Sequence, residues 1–185
     1  MKQITIREEQ PHDIAAIGDL NEEAFGQPQE ARLVDRLRAN GGVLLSLVAS
    51  VDDRVVGHIL FSPVTLESGS GSHGGVGLGP MAVLPSVQRR GVGSRLVAEG
   101  IKRLRENGHT FVVVVGHPEY YPRFGFVPAS QYQVTCPWDV PDEAFMLLVL
   151  DESRASALAG VARYREEFAT VERDERTAGG SRRPS

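Results

Sequence analysis

Residues Leu78–Asn107 read LGPMAVLPSVQRRGVGSRLVAEGIKRLREN, and this stretch decides the fold of the chain. It begins with a short apolar strand, predicted over Leu78–Val83, and continues through a turn and a basic loop. The loop opens into an amphipathic helix, because apolar side chains recur near the helical period on one face: Leu96, Val97, Ile101 and Leu104. Asn107 and Gly108 predict the end of that helix. A strand, a loop and a helix are therefore expected in direct succession.

The loop Gln88–Ser94 has the properties of an anion-binding site. A loop that enters a helix directs unpaired backbone N–H groups and the positive end of the helix dipole at one small surface. Gly91 and Gly93 would let the backbone approach an anion closely, and Arg89 and Arg90 add positive charge. The alternative is an ordinary turn in which the glycines serve only the backbone. The two arginines and the flanking strand and helix favour phosphate binding.

Two common nucleotide motifs do not fit this loop. A Walker loop needs Gly-Lys-Ser/Thr at the start of the helix, where this chain has Gly93-Ser94-Arg95. A dinucleotide fingerprint needs a third glycine where this chain has Leu96. The segment Gln88-Arg89-Arg90-Gly91-Val92-Gly93 instead resembles the acetyl-CoA signature of the GNAT N-acetyltransferase superfamily, Gln/Arg-x-x-Gly-x-Gly/Ala.

Length and composition are typical of one globular domain. The chain has 185 residues, and we expect a single domain over residues 1–168 and a polar, disordered tail over residues 169–185. A net charge of −4 and a pI of about 5.7 give no global attraction to nucleic acid or to an anionic membrane, so neither is expected as a partner. The single cysteine, Cys136, excludes an internal disulfide. Without a signal-like start or an apolar run near the ~20 residues of a membrane span, a cytoplasmic location is expected.

The remaining periodicities predict a sheet flanked by helices. Predicted strands cover Gln3–Glu8, Leu44–Val51, Arg54–Val64, Phe111–Val115 and Phe145–Leu150, and predicted helices cover Pro11–Phe25 and Gln29–Ala39. Asp52-Asp53 should form a hairpin turn, and the Gly/Ser-rich segment Glu67–Gly77 should be a mobile loop. Val161–Phe168 is expected to pack on the domain.

The order of these elements over Gln3–Leu150 also resembles that of the GNAT superfamily. The resemblance implies an α/β (α+β) fold whose mixed, mostly antiparallel sheet has about six or seven strands between helices. The continuously apolar Phe111–Val115 should run parallel to Leu78–Val83, with the intervening helix as a right-handed crossover. In the family these fourth and fifth strands are splayed apart to admit the acetyl-CoA.

The resemblance also implies which residues bind acetyl-CoA as co-substrate. The backbone of Met81, Ala82 and Val83 would pair with the pantetheine arm as an added strand does. The loop would hold the pyrophosphate through Gln88, Arg89, Arg90, Gly91, Val92, Gly93 and Ser94. No metal site is expected, because the five histidines show no metal-ligand spacing.

A second match to the family lies in Tyr120-Tyr121-Pro122-Arg123-Phe124-Gly125-Phe126. Many GNAT enzymes place a tyrosine four residues before a Gly-Phe pair, and here that residue is Tyr121. Its implied role is to protonate the CoA thiolate, which is reasonable because a phenol has a pKa near ~10 and a thiol near ~8.5. The alternative is a core aromatic residue. The amino-acid sequences of His117–Phe126 and Pro141–Met146 resemble those of the YhbS-like subgroup of the superfamily in particular.

The general base and the acceptor pocket stay open at this level. The fourth strand offers no carboxylate, and His117, Glu119, Glu22 and Glu23 are each more typical of solvated or structural positions. The segment Gln131–Asp142, with Tyr132 or Trp138 as a wall, could shape the acceptor pocket, although core packing is an equal alternative. Cys136 could be read as a nucleophile beside His117, but inert packing is more typical of such a residue.

The resulting hypothesis is an acetyl-CoA-dependent N-acetyltransferase. It would move the acetyl group directly to a primary amine of a small molecule or peptide, without an acyl-enzyme intermediate. The competing class is a non-catalytic acyl-CoA-binding sensor or interaction module, which the missing fourth-strand carboxylate leaves open. The acidic balance disfavours RNA-linked amines. The sequence leaves monomer and homodimer equally open.

Overall fold

The structure, a computed structural model, describes residues 3–69 and 71–169. In these ranges the α-helices are α1 (Ile14–Phe25), α2 (Gln29–Ala39) and α3 (Val92–Glu106). The strands are β1 (Thr5–Glu8), β2 (Leu45–Val51), β3 (Arg54–Ser68), β4 (Gly71–Val83), β5 (Phe111–Val115), β6 (Val127–Pro128), β7 (Val134–Thr135), β8 (Phe145–Val149) and β9 (Gly160–Tyr164). The predicted tail lies outside the described residues from position 170 onward. No α-helix in the described ranges is both long and apolar enough to span a bilayer.

The strands form one mixed sheet in the order β1-β2-β3-β4-β5-β8-β6, with β9 added beside β3 and β7 beside β9. Neighbours are antiparallel except for β4 with β5 and β7 with β9. The β4–β5 pair runs from Val76↔Val112 to Leu78↔Val114, and α3 is the crossover between the two strands. The predicted fold class is therefore confirmed, as is the parallel pair at its centre.

Several element boundaries were predicted correctly from local sequence signals. The strand β5 and the helix α2 have the predicted ends, and Leu33, Val34 and Leu37 of α2 are buried. The β2–β3 hairpin turns at Asp52 and Asp53, whose φ angles of 49° and 61° are both in the left-handed region. Two positive φ angles match the twist of the flanking strands, and aspartate tolerates that region better than most residues.

The predicted mobile loop Glu67–Gly77 is wrong. The strand β3 continues to Ser68 and β4 begins at Gly71, so most of this segment forms a paired extension of the hairpin. Glycine is needed there for close packing rather than for mobility. A Cβ at Gly75 would overlap the Phe111 ring, and one at Gly77 would lie 2.9 Å from Cε1 of Tyr164. The strand β9, which was predicted only to pack on the domain, pairs with β3 from Val64 to Glu67 and stabilises this extension.

The helices cover opposite faces of the sheet. A Cβ at Gly57 of β3 would lie 2.8 Å from Val92 and 3.0 Å from Leu96, which places α3 on the face to which odd-numbered β3 residues point. The next residue, His58, points to the other face and lies 3.4 Å from Asn21 of α1. The helix α2 packs beside α1 on that second face.

A buried chain of polar groups joins the elements of the α1 face. Asn21 Nδ2 lies 3.4 Å from His58 Nδ1, and His58 Nε2 lies 3.0 Å from Ser46 Oγ. Ser46 donates its hydroxyl hydrogen to Glu9, whose carboxylate also pairs with Arg38 at 2.7 Å. Since Ser46 donates to Glu9, the compatible tautomer of His58 carries its proton on Nε2 and donates to Ser46. His58 is therefore a neutral structural residue.

Candidate active site

A cleft of about 1040 Å³ opens where β4 leaves β5. The β4–β5 pairing ends at Leu78↔Val114, and beyond this point β4 continues alone on that side. The separation coincides with a β-bulge between the pairs Phe61↔Leu78 and Ile59↔Met81. Between these pairs β3 has one residue and β4 has two. The additional β4 residue bends the strand locally, as bulges do. Gly79 and Pro80 are the two residues of β4 within the bulge. Proline has no N–H to donate, and a bulge is a position where the ladder does not need one.

The edge of β4 presents backbone groups to the cleft at alternate residues. The N–H of Leu84 donates to the C=O of Val56 at 3.0 Å, so Leu84 and Ala82 belong to the hydrogen-bonded pairs of the β3–β4 ladder. The N–H and C=O groups of Met81 and Val83 therefore point away from β3. Both residues line the cleft, whereas Ala82 is buried beneath it. Of the three residues predicted to pair with an extended ligand, two have the orientation that such pairing needs.

The predicted anion loop lies at one end of the same cleft. Gly91 precedes α3 with a φ of 82°, and Arg89 has a φ of 61°. The first bond of the helix runs from the Arg95 N–H to the Gly91 C=O at 3.1 Å, so the N–H groups of the preceding turn have no intrahelical acceptor. Loop residues on the cleft wall are Gln88, Arg89, Gly91, Val92, Gly93 and Ser94. Arg90 is exposed and does not contribute to the wall.

Tyr121 lies on the cleft wall at the start of a short 3₁₀ helix, Tyr121–Phe124, after β5. The residue is only 6% exposed, and a Cβ at Gly116 would overlap its ring. The ring packs edge-on against Tyr120 at 5.1 Å and against Phe126 at 5.6 Å between centroids. Burial raises the pKa of the Tyr121 phenol above its ordinary value of 10.0, because a buried phenolate would lose its hydration. The hydroxyl is therefore protonated at neutral pH and can donate a proton.

Tyr120 and Arg123 are cleft residues to which the sequence assigns no role. The Tyr120 hydroxyl oxygen lies 2.8 Å from the position that a Cβ at Gly93 would occupy, directly over the first turn of α3. Arg123 holds the tyrosine in place, since its Nε donates to the Tyr120 C=O at 2.8 Å and its guanidinium lies 4.4 Å from the ring centroid. Tyr120 follows Gly93 by 27 positions in the chain. Sequence spacing alone therefore could not predict that the two residues are in contact.

The opposite end of the cleft is formed by the junction of α1 and α2. Phe25 and Glu30 lie on the wall there, whereas Glu22, Glu23 and Glu119 do not. Of the four residues considered as a general base, none of which the sequence favours, only His117 borders the cleft. Glu30 has no distinguishing signal in the sequence, because an acid in the first turn of a helix is common for reasons of helix stability alone.

The predicted acceptor-pocket segment Gln131–Asp142 contributes no residue to this cleft. Trp138 instead packs against Tyr164 at 4.5 Å and Phe168 at 6.4 Å between ring centroids. Tyr132 and Cys136 pack against a second hydrophobic core, which includes Leu66, Phe111, Leu147 and Ala162. The contacts of these three side chains therefore support the packing alternative. In residues 3–69 and 71–169, no three His, Cys, Asp or Glu side chains lie together as metal ligands would.

Comparison with known proteins identifies relatives of this architecture. A family model described as an acetyltransferase (GNAT) domain matches residues 5–129. The chain is 35% identical over 164 residues to the uncharacterized N-acetyltransferase YhbS of Escherichia coli K12, covering 88% of this chain and 97% of the relative. It is 40% identical over 134 residues to the uncharacterized N-acetyltransferase YjhQ of the same organism, covering 71% of this chain and 74% of that relative.

Two solved structures share both the fold and the sequence similarity. The E. coli YhbS structure, in complex with CoA, superposes with a TM-score of 0.86 at 34% identity, covering 91% of this chain and 93% of that one. A GNAT family acetyltransferase of Brucella melitensis, in complex with acetyl-CoA, gives a TM-score of 0.75 at 35% identity, covering 91% of this chain and 99% of that one.

Proposed function

Because the chain belongs to the GNAT family of acetyltransferases, we propose that it transfers the acetyl group of acetyl-CoA directly to a primary amine of a small molecule or peptide. The single observation that carries this proposal is the position of Tyr121. A buried, protonated phenol lies on the same cleft as a helix-start anion site and as the β4 edge where Met81 and Val83 direct backbone groups away from β3. Each of these groups corresponds to one part of a thioester donor: its leaving sulfur, its phosphates and its extended amide arm.

The donor would bind along the β4 edge and the start of α3. The backbone groups of Met81 and Val83 are oriented to pair with the amides of the pantetheine arm, as a strand added to a sheet edge does. The Val83 C=O also accepts a hydrogen bond from the Gln88 side-chain amide at 3.0 Å, and its second lone pair can accept another. The N–H groups of Val92, Gly93 and Ser94, together with Arg89, provide a positive surface for the pyrophosphate. The CoA and acetyl-CoA complexes of the two solved relatives support this assignment.

The reaction needs one proton donor and one proton acceptor. The neutral amine attacks the thioester carbonyl carbon, and the C–S bond breaks as the tetrahedral intermediate collapses. We assign Tyr121 as the acid that gives its phenolic proton to the departing sulfur, and the tyrosine regains a proton from the nitrogen that becomes the amide. The products are the acetylated amine and CoA with a free thiol. No side chain carries the acetyl group in this scheme.

The test is Tyr121→Phe, which removes the hydroxyl and leaves the ring packing intact. Release of free thiol with an amine acceptor should fall about a hundredfold or more, which is typical for the loss of a general acid. Acetyl-CoA affinity should stay within about twofold, because the ring still fills the space over Gly116. Tyr132→Phe is the matched control, since that tyrosine lies in the second core, away from the cleft. Equal turnover in Tyr121→Phe and in the native enzyme would rule out the assigned role.

A panel of amines distinguishes the enzyme from a non-catalytic acyl-CoA-binding module. The observation that favours a module is the lack of a carboxylate on the cleft edge of β4, where Met81 and Val83 stand. A module would bind acetyl-CoA without releasing free thiol in the presence of any amine. We expect thiol release, because Tyr121 lies on the cleft wall with its phenol protonated, as proton transfer to a departing thiolate requires.

A further inference from the structure

The charged residues of the cleft wall are divided between the two faces of the sheet. The arginines, Arg89 and Arg123, come from the loop before α3 and from the segment after β5. The acid on the wall is Glu30, which comes from α2 on the opposite face. The cleft wall therefore carries its two arginines on the α3 side of the sheet and its acid on the α2 side. The positive side suits the phosphates of the donor, and the negative side is left for the acceptor.

Glu30 is buried without a cation beside it. The residue is 8% exposed, and its two carboxylate oxygens accept hydrogen bonds from the side-chain amide of Gln27 at 3.1 and 3.3 Å. No Lys, Arg or His of the described ranges forms an ion pair with it. A mostly buried carboxylate held by one neutral amide lacks the opposite charge that compensates burial best. Its position on the cleft wall means that a ligand can supply that charge.

A purely structural role explains Glu30 less well. The residue lies in the first turn of α2, where a negative charge interacts favourably with the helix dipole. That interaction is available to an exposed acid in the same turn, so it does not require burial against the cleft. The helix dipole explains why a glutamate is favourable near this position. It does not explain why the side chain is buried without a cation, whereas a cationic ligand in the cleft would.

We infer that Glu30 is the specificity-determining residue for the acceptor and that it binds a primary amine in its ammonium form, which releases one proton to water before the neutral nitrogen attacks the thioester. The inference rests on the proposed acetyl transfer. Phe25, which is 41% exposed on the same wall, would contact the carbon skeleton beside the amine. The acceptor class is therefore an alkyl or arylalkyl ammonium ion. Neutral arylamines lack the charge, and free amino acids carry an α-carboxylate that Glu30 repels.

The test compares phenethylamine, which is cationic, with aniline, which is neutral, in the native enzyme and in Glu30→Gln. In the native enzyme, kcat/KM for thiol release should be at least about thirtyfold higher for phenethylamine. Glu30→Gln should raise the KM for phenethylamine by a similar factor and leave kcat and acetyl-CoA affinity within about threefold. Glu23→Gln is the control, because that acid is exposed on α1 and lies outside the cleft. An unchanged KM in Glu30→Gln, or a fall in kcat alone, would overturn the inference.

Thermal stability separates recognition from a structural role. If Glu30 serves a ligand, Glu30→Gln removes an uncompensated charge and the Tm should stay the same or rise. A lower Tm together with lost activity would mean that Glu30 supports the fold, and the inference would be wrong. The control Glu23→Gln should leave Tm unchanged.

Direct binding keeps the inference testable if no amine in the panel is acetylated. That result would count against the proposed function and would say nothing about Glu30. Phenethylammonium chloride is then titrated into the CoA-saturated protein and followed by NMR. Saturable shifts around Glu30 in the native protein that vanish in Glu30→Gln would support the inference. Identical behaviour of the two proteins, or no shifts in the native protein, would overturn it.

Discussion

At the residue scale, the cleft is built from pairs of a glycine and an aromatic ring. Gly116 makes room for the Tyr121 ring, and Gly93 makes room for the Tyr120 hydroxyl. In the first pair the absence of a Cβ lets a phenol be buried beside the cleft. In the second pair, the absence of a Cβ at Gly93 lets Tyr120 pack against the turn that we propose binds phosphate. Gly93 of the signature is therefore required by a side chain that comes later in the chain, whereas Gly91 meets no neighbour and is favoured by its positive φ of 82°.

Gly93→Ala should weaken acetyl-CoA binding by about tenfold. Its Cβ would lie 2.8 Å from the Tyr120 oxygen, and Arg123 restrains that ring from moving away. Overpacking of this kind typically perturbs the backbone or the neighbouring side chain. The dissociation constant of acetyl-CoA is the measurement, with Tm recorded because alanine also favours the helix.

A second substitution identifies the cause of that loss. Tyr120→Phe removes the oxygen, after which the nearest neighbours of the new Cβ are Met81 and Val83 atoms at 3.7 Å, an ordinary contact distance. The effect of Gly93→Ala should therefore be much smaller in the Tyr120→Phe background. Full additivity of the two effects would show that the clash is not the reason.

At the element scale, the β3–β4 extension shows how composition can mislead. A run of glycine and serine usually indicates a flexible loop, because it offers few side chains to bury. Here the buried surface belongs to other elements: Phe111 of β5 lies over Gly75, and Tyr164 of β9 lies over Gly77. The extension is ordered by partners that are remote in sequence. The composition of the glycine-rich segment therefore does not reveal these packing partners.

Gly75→Ala should destabilise the protein by about 1–3 kcal/mol, whereas the adjacent Gly74→Ala should change stability by less than about 0.5 kcal/mol. A Cβ at Gly75 would overlap the fully buried Phe111 ring, and one at Gly74 would meet nothing within 4 Å. Urea unfolding of the two variants measures the difference. Similar free energies of unfolding for both would mean that this part of the hairpin is not packed against β5.

At the scale of the whole molecule, the buried polar chain through His58 joins two strands, two helices and the residue that follows β1. Burial lowers the pKa of His58 from 6.5 to about 4, with Glu9 raising it and Arg38 lowering it. The imidazole is fully buried, and its protonation would place a cation inside the α1 face of the sheet. The stability of the fold is therefore linked to the neutral state of this residue.

The free energy of unfolding should fall by about 3 kcal/mol as the pH is lowered from about 6.5 to about 4. In this window the unfolded chain binds a proton at His58 and the folded chain does not, so the contribution is complete above pH 6.5 and is lost on acidification. His109, whose pKa burial also lowers, adds to the slope in the same direction. Below about pH 4.5 the loss of Glu9 ionisation, whose pKa is also lowered, destabilises the fold further.

Substitution of the histidine tests the assignment. His58→Gln keeps a hydrogen-bonding side chain beside Ser46 but does not titrate, so its unfolding free energy should depend less on pH between 6.5 and 4. His117→Gln, at an exposed side chain, should retain the native slope. Chemical denaturation at a series of pH values provides the measurement. Equal slopes for His58→Gln and the native protein would contradict the assignment.

The sequence by itself determined the elements whose signals are local and the motifs whose atoms are contiguous. The helix α2, the strand β5, the Asp52-Asp53 turn and the strand–loop–helix around Gly91 were predicted correctly, because period, turn chemistry and caps act over a few residues. The family followed from the same contiguous motifs.

Only the tertiary structure decided which residues meet at the cleft. It brings Glu30 and Phe25 to one end, sets Tyr120 over Gly93, excludes Gln131–Asp142, and orders the glycine-rich extension against Phe111. It also directs the backbone of Met81 and Val83, but not of Ala82, towards the cleft, through the register with β3. These are contacts between segments far apart in the chain. Their geometry depends on sheet order and on the side to which each strand residue points, and neither is encoded within a short window of sequence.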